Sequence, residues 1–272
     1  MIKKKVKKKI KEKSVYWNTQ SSAFINSYKR IGTKEFLKSA VFDLLTFLAI
    51  IIILNLALLM VNRISAEVLP ELLTVYASAQ SEDTAAMQEA VADLTPRVAK
   101  VLWISFIIVV FAFLLIMLAI SFLYHRAWDI ALKKNLKKKF SWKIFLLNII
   151  WFVAWFIIFL LTANIFVTSV AAVILLIEIL LFLYLDPMRR SIYDEKKSIG
   201  KIISDFFRIG VKIYWFIFYI IAAVIFGIII IYILGLLVNI LVLFGILTVI
   251  FILIFVGWTR NYIIELTKHI QY

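Results

Sequence analysis

Residues 140–185, FSWKIFLLNIIWFVAWFIIFLLTANIFVTSVAAVILLIEILLFLYL, hold a single acid, Glu178, in an apolar run about twice as long as one membrane crossing. One crossing takes about 20 apolar residues for a hydrocarbon core of roughly 30 Å. Every backbone N–H and C=O in that layer has to be paired inside the protein, so the run must fold as a helical hairpin. Its turn is expected near residues 162–168 and its exit at Asp186 and Pro187.

The rest of the chain repeats this pattern. Apolar runs lie at about 40–61 and 101–124, and residues 213–258 are again long enough for two crossings, with a turn expected at 235–239. The reading is an all-α polytopic membrane protein with six transmembrane helices in three hairpins. The spans fall at about 40–61, 101–124, 144–161, 166–185, 214–234 and 239–258. With 64% of 272 residues hydrophobic, the apolar surface exceeds what a soluble core of this size could cover.

Residues 24–272 are expected to form one six-helix domain, and residues 1–23 a basic arm. The arm opens MIKKKVKKKIKEK, where like charges repel and little can be buried, so it is read as disordered. The first 39 residues lack the short basic start and early apolar core of a cleavable signal, so the first span is expected to act as a retained signal anchor.

The charges orient the spans. Cations outnumber acids 12 to 2 in residues 1–39, 7 to 1 in 125–143, 7 to 4 in 186–213 and 2 to 1 in the tail, whereas residues 62–100 carry 3 cations and 6 acids. Basic segments stay on the cytoplasmic side. A cell-membrane protein with both termini cytoplasmic and residues 62–100 as an external helical loop follows. That loop is rich in alanine, glutamate and leucine, with Pro70 placed for a first turn and Ser81 and Thr84 as caps.

Three basic segments carry apolar residues at helical spacing: residues 24–31, the set Trp128, Leu132, Leu136 and Phe140, and residues 192–209. This is the pattern of amphipathic helices lying in an anionic interface. Lys137, Lys138, Lys139, Arg189 and Arg190 are the expected lipid head-group contacts. The expected partners are anionic membrane lipids and a protein partner or second copy, and no nucleic acid.

The candidates for chemistry are few. There is no cysteine and only two histidines, so no catalytic residue, metal site or cofactor is assigned. No phosphate-binding loop, nucleophile elbow, zinc-protease motif or dinucleotide fingerprint is present. Glu178 stands out, because a charge deep in a span costs roughly 2.5–3.5 kcal/mol to insert. Asn148 and Trp151 on the third span, Thr248 on the sixth, and Lys212 or Arg208 reaching from the interface could offset that cost. The carboxyl then either ties helices together or lines a path for a substrate or proton. Asp43 lies in the first turns of its span, where the helix dipole favours an acid. His125 and Asp129 stand four apart and can pair. Asp186, Asp194 and Glu195 beside Arg189 and Arg190 could serve a lipid-phosphate chemistry or simple surface pairing. Ala223 and Gly227 would let a neighbouring helix approach closely.

The basic lead-in KIISDFFRIGVK before an Ile- and Phe-rich hairpin, and the DPMRR exit from the fourth span, carry a family resemblance. The layout resembles uncharacterised prokaryotic families, some archaeal, of six-helix integral membrane proteins, similar to the membrane domain that accompanies glycerophosphodiester phosphodiesterases. It spans about residues 24–270 and implies a fold, with no catalytic residue to carry over. The functional expectation is a non-enzymatic membrane scaffold or interaction protein that engages anionic lipids and partner proteins. A permease-type subunit for a lipid-like or small hydrophobic substrate, with Glu178 in the path, is the alternative.

Overall fold

The computed structural model describes residues 2–80, 84–133, 141–166, 168–236 and 241–270. They form α1 (Ile2–Lys29), α2 (Lys34–Ala66), α3 (Leu69–Gln80), α4 (Thr84–Ala119), α5 (His125–Ala131), α6 (Trp142–Ile165), α7 (Thr168–Ile192), α8 (Ile199–Gly210), α9 (Ile217–Leu236) and α10 (Leu241–Ile270). One π-helical turn, Ile120–Tyr124, joins α4 to α5, and a short 3-10 turn, Ile213–Trp215, precedes α9. No strand occurs among the described residues.

Five stretches are long and apolar enough to cross a membrane: Lys34–Ala66, Val91–Ala131, Trp142–Ile165, Val170–Ile192 and Phe244–Ile270. The sixth expected crossing coincides with α9, whose apolar part Ile217–Ile233 is shorter. The chain is therefore an all-helical, multi-pass membrane protein. Its large hydrophobic side chains point outward along these helices, among them Ile52, Leu59, Phe111, Phe156 and Ile228, which suits lipid as the surrounding medium.

Several boundaries differ from those read in the sequence. The hairpin does turn within the expected stretch, since α6 ends at Ile165 and α7 begins at Thr168. α7, however, does not stop at Asp186 and Pro187 but continues to Ile192. A proline is tolerated in a membrane helix when neighbours satisfy the freed backbone, and Asp186 braces this turn by bonding to both Arg189 and Arg190. α4 begins at Thr84 and runs without a break into the second crossing, so residues 84–100 are not a separate surface helix. α1 covers both the lysine-rich arm and the first lead-in segment as one helix. Lysine and glutamate are good helix formers, and no Gly or Pro interrupts before Gly32.

The helices divide into two compact units. One comprises residues 45–120, the other residues 1–44 and 121–272. In the first, α3 lies along α4. Val68 and Leu94 are buried there, and Arg97 reaches Glu71 at 2.5 Å and Asp93 at 3.4 Å.

The second unit is centred on α10, which packs against α1, α7, α9 and α5. Its core collects Tyr184, Met188, Phe206, Phe216, Tyr219, Trp258, Tyr262 and Leu266. α8 enters this core through Phe206 and Ile209 while its Ile202 packs with Ile144, Leu147 and Tyr193, and its first turn is capped by the Ser198 hydroxyl, which accepts from Lys201 N at 3.4 Å. α1 seats a face of Thr19, Gln20, Ala23 and Ser27, while Trp17, Ile25 and Tyr28 are exposed. Small residues at helix contacts with large apolar residues outward is how helices associate in lipid, where apolar surface has no reason to hide. The Tyr262 hydroxyl donates to Gln20 Oε1 at 2.5 Å, and Gln20 Nε2 donates to the Trp215 carbonyl.

Close packing between α2 and α10 occurs at Gly257, where a Cβ would come within 2.5 Å of the buried Phe36 ring. Gly227 does not play the role read for it with Ala223, since the space around its Cα is open.

Candidate functional site

The most polar part of the second unit is its interior. Arg260, in the middle of α10, is 1% exposed and forms an ion pair with Asp43, which is 3% exposed, on α2. The Arg260 guanidinium also lies 5.8 Å from the ring centres of Tyr124 and Trp128. Arg190 approaches the same Tyr124 ring at 4.6 Å. An aromatic ring within about 6 Å of a guanidinium attracts it through the charge distribution of its face.

Arg190 Nε donates to Asp186 Oδ2 and Arg189 Nη2 to Asp186 Oδ1, each at 2.8 Å. Arg189 Nη2 also donates to Asn148 Oδ1 at 2.8 Å, and the Asn148 amide donates to Ser121 Oγ at 2.8 Å. The Trp151 ring lies 5.3 Å from the Arg189 carbon. The π-helical turn presents both Ser121 and Tyr124 to this network, a use consistent with the frequency of such turns at polar sites.

Three guanidinium groups and two carboxylates from three helices thus share one interior. Removing two charges from water is repaid only when geometry and further hydrogen bonds are good; here each carboxylate meets a guanidinium directly, while Asp43 Oδ1, Arg189 Nε and Arg260 Nε and Nη1 are buried without a partner among the described residues. The arrangement ties α2, α6, α7, α10 and the π turn together at one level.

The sequence placed these residues differently. Arg189 and Arg190, read as head-group contacts, are 8% and 4% exposed and turned inward onto Asp186. Asn148, read as a partner for Glu178, serves Arg189 and Ser121 instead. Thr248 donates to Phe244 O within its own helix. Lys137, Lys138 and Lys139 lie outside the described residues.

Glu178 is 8% exposed, and its Oε1 accepts from the Thr162 hydroxyl at 2.5 Å, across the α6–α7 hairpin. Glu178 Oε2 is buried without a partner among the described residues. Thr162 stands near the end of α6, further from the expected partners' depth, because α7 presents its carboxyl toward the turn rather than toward the level of Asn148.

His125 Nε2 lies 3.4 Å from Asp129 Oδ1. The Tyr193 hydroxyl pairs with Ser141 Oγ at 3.2 Å, and burial raises its ionisation above the ordinary phenol range. Asp194 Oδ1 accepts from Lys196 N, while Lys143 Nζ donates to the Glu195 carbonyl. Asp186 is committed to its two arginines, so these three acids do not gather at one point.

Arg260 escaped the sequence reading because it follows Trp258 in TRNYIIELTKHIQY, which reads as a tail beyond the last crossing. The signal was present in Tyr262, Leu266 and Ile270 at helical spacing, which marks that tail as a packed helix.

A second feature is a cavity of about 120 Å³ lined by Arg30, Thr33, Glu35, Phe36, Ser39, Ala131, Lys133 and Asn261. It lies where α1 turns into α2 through Gly32, whose φ of 87° suits a residue without a side chain, and just beyond the end of α5, at Lys133, which has φ 53°. Comparison with protein families, curated proteins and solved structures returns no match for this chain.

Proposed function

We propose that this protein is a non-enzymatic membrane scaffold that engages anionic lipids and partner proteins, with six crossings and both termini on the cytoplasmic side. The sixth crossing is α9, and the excess of cations over acids at every segment except residues 62–100 supports the orientation.

The observation that carries the reading is the state of Glu178. Its carboxyl is packed between α6 and α7 and held by Thr162, the arrangement of a helix clasp. The same holds for the interior charges, which are spent on one another: Asp43 on Arg260, Asp186 on Arg189 and Arg190.

The test is Glu178→Gln in proteoliposomes. A clasp predicts a changed melting temperature with no change in permeability to small hydrophobic or lipid-like tracers. A selective loss of flux with unchanged melting would overturn the scaffold reading in favour of a permease subunit.

A further inference from the structure

We propose that the cavity between the α1–α2 turn, the end of α5 and α10 binds the phosphodiester of a membrane glycerophospholipid, held by Lys133, Arg30 and Asn261. This deepens the lipid-engaging part of the scaffold reading and rests on it.

The first observation is Asn261. It is 5% exposed, borders the cavity, and its amide makes no hydrogen bond among the described residues. The amide is not among the sealed, unpaired polar atoms of the interior, so it is open to the cavity it borders, where a ligand or water can pair with it. The other polar walls are already engaged. Ser39 Oγ donates to the Phe36 carbonyl, and Thr33 Oγ1 donates to the Arg30 carbonyl while accepting from Phe36 N.

The second observation is charge. Arg30 donates to Glu265 at 2.6 Å, but Glu265 is shared with Lys268 at 2.9 Å, so one carboxylate faces two cations. Lys133 adds an exposed ammonium at the cavity wall. α2 begins at Lys34, so the positive end of its dipole lies beside Thr33 and Glu35 on the cavity wall. Glu35 is the one acid on the wall, and it suits the hydroxyl or ammonium donor that a phospholipid head group carries beyond its phosphate.

The third observation selects a lipid over a free anion. The cavity-lining residues Phe36 and Ser39 alternate along α2 with the exposed Leu37 and Val41, and α1 exposes Ile25 and Tyr28 shortly before the lining Arg30. Acyl chains attached to a phosphate in this cavity would lie along that surface. A volume of about 120 Å³ holds a phosphate group with part of its ester, and excludes the chains.

Native mass spectrometry of the full chain in detergent, titrated with dioctanoyl phosphatidylglycerol, reads the site directly. One bound lipid is expected, and Lys133→Gly should weaken it about fivefold, the effect of about one cation near a membrane surface. Glycine at this position also keeps the positive φ without strain. Asn261→Ala should weaken binding to a similar degree, and Lys196→Ala, away from the cavity, should not. Equal binding by the wild type and Lys133→Gly would overturn the proposal. So would equal retention of dioctanoylglycerol, which lacks the phosphate, or displacement of the lipid by inorganic phosphate at the same concentration. These readouts are independent of Glu178→Gln flux, so failure of the scaffold reading and failure of this site are distinguishable.

Discussion

Asp43 and Arg260, 217 residues apart in the chain, form an ion pair that is almost wholly removed from solvent. Deleting one member leaves the other charged and buried. Asp43→Asn or Arg260→Met should each cost about 3–5 kcal/mol, and the double variant should recover a substantial part of the loss. Thermal unfolding in detergent followed by tryptophan fluorescence measures it, and additive losses in the double variant would show that the two side chains do not depend on each other.

Gly257 on α10 and Phe36 on α2 meet so closely that a Cβ at Gly257 would clash with the ring. Gly257→Ala places a methyl group against the ring and should cost about 1–3 kcal/mol by overpacking. Phe36→Leu in the same chain should return most of that stability, which a melting series of the two single variants and the pair would show.

Thr162 is the one described donor to Glu178. Thr162→Val removes it and leaves a buried carboxyl oxygen unpaired, a loss of about 1–3 kcal/mol. In a Glu178→Gln background the same substitution should cost less, so a double-mutant cycle gives the coupling between the two positions. A coupling of zero would mean that the hairpin is not held by this bond.

Asp205 on α8 accepts a hydrogen bond from Lys197 Nζ at 2.7 Å, which holds its carboxyl below the ordinary carboxylate range. Because the folded value is the lower one, the pair contributes stability above the usual carboxylate range and loses it as pH falls through the folded value. Acid titration of Asp-labelled protein by carbon NMR should find Asp205 among the last aspartates to protonate, and Lys197→Met should move it back up toward the ordinary value.

The α6–α7 hairpin was readable because lipid imposes a length and a composition on each crossing, although α7 runs past the expected exit at Asp186 to Ile192. The reversal between Ile165 and Thr168 follows from the end of one apolar run and the start of another. Glu178 was readable for the same reason, as a charge where charges are costly. The interior charge network was not, because Asp186, Arg189, Arg190 and Arg260 stand at the margins of apolar runs, where the sequence pattern of an interfacial cation and an inward-turned one is the same. What distinguishes them is the arrival of distant partners: Asn148 from α6, Tyr124 from the π turn, Asp43 from α2. Asn261 and Lys133 were invisible for a related reason, since a cavity belongs to three segments and to no one of them.

The seat of α1 on α10 joins the first helix to the last. Gln20 and Tyr262 are 242 positions apart, and Arg30 and Glu265 are 235. A ribosome makes Gln20 and Arg30 long before Tyr262 and Glu265, so α1 leaves the exit tunnel with its polar face uncovered and keeps it so until α10 has been inserted. Closure of this unit consequently waits for α10, and a product truncated before α10 lacks the surface on which α1 comes to rest.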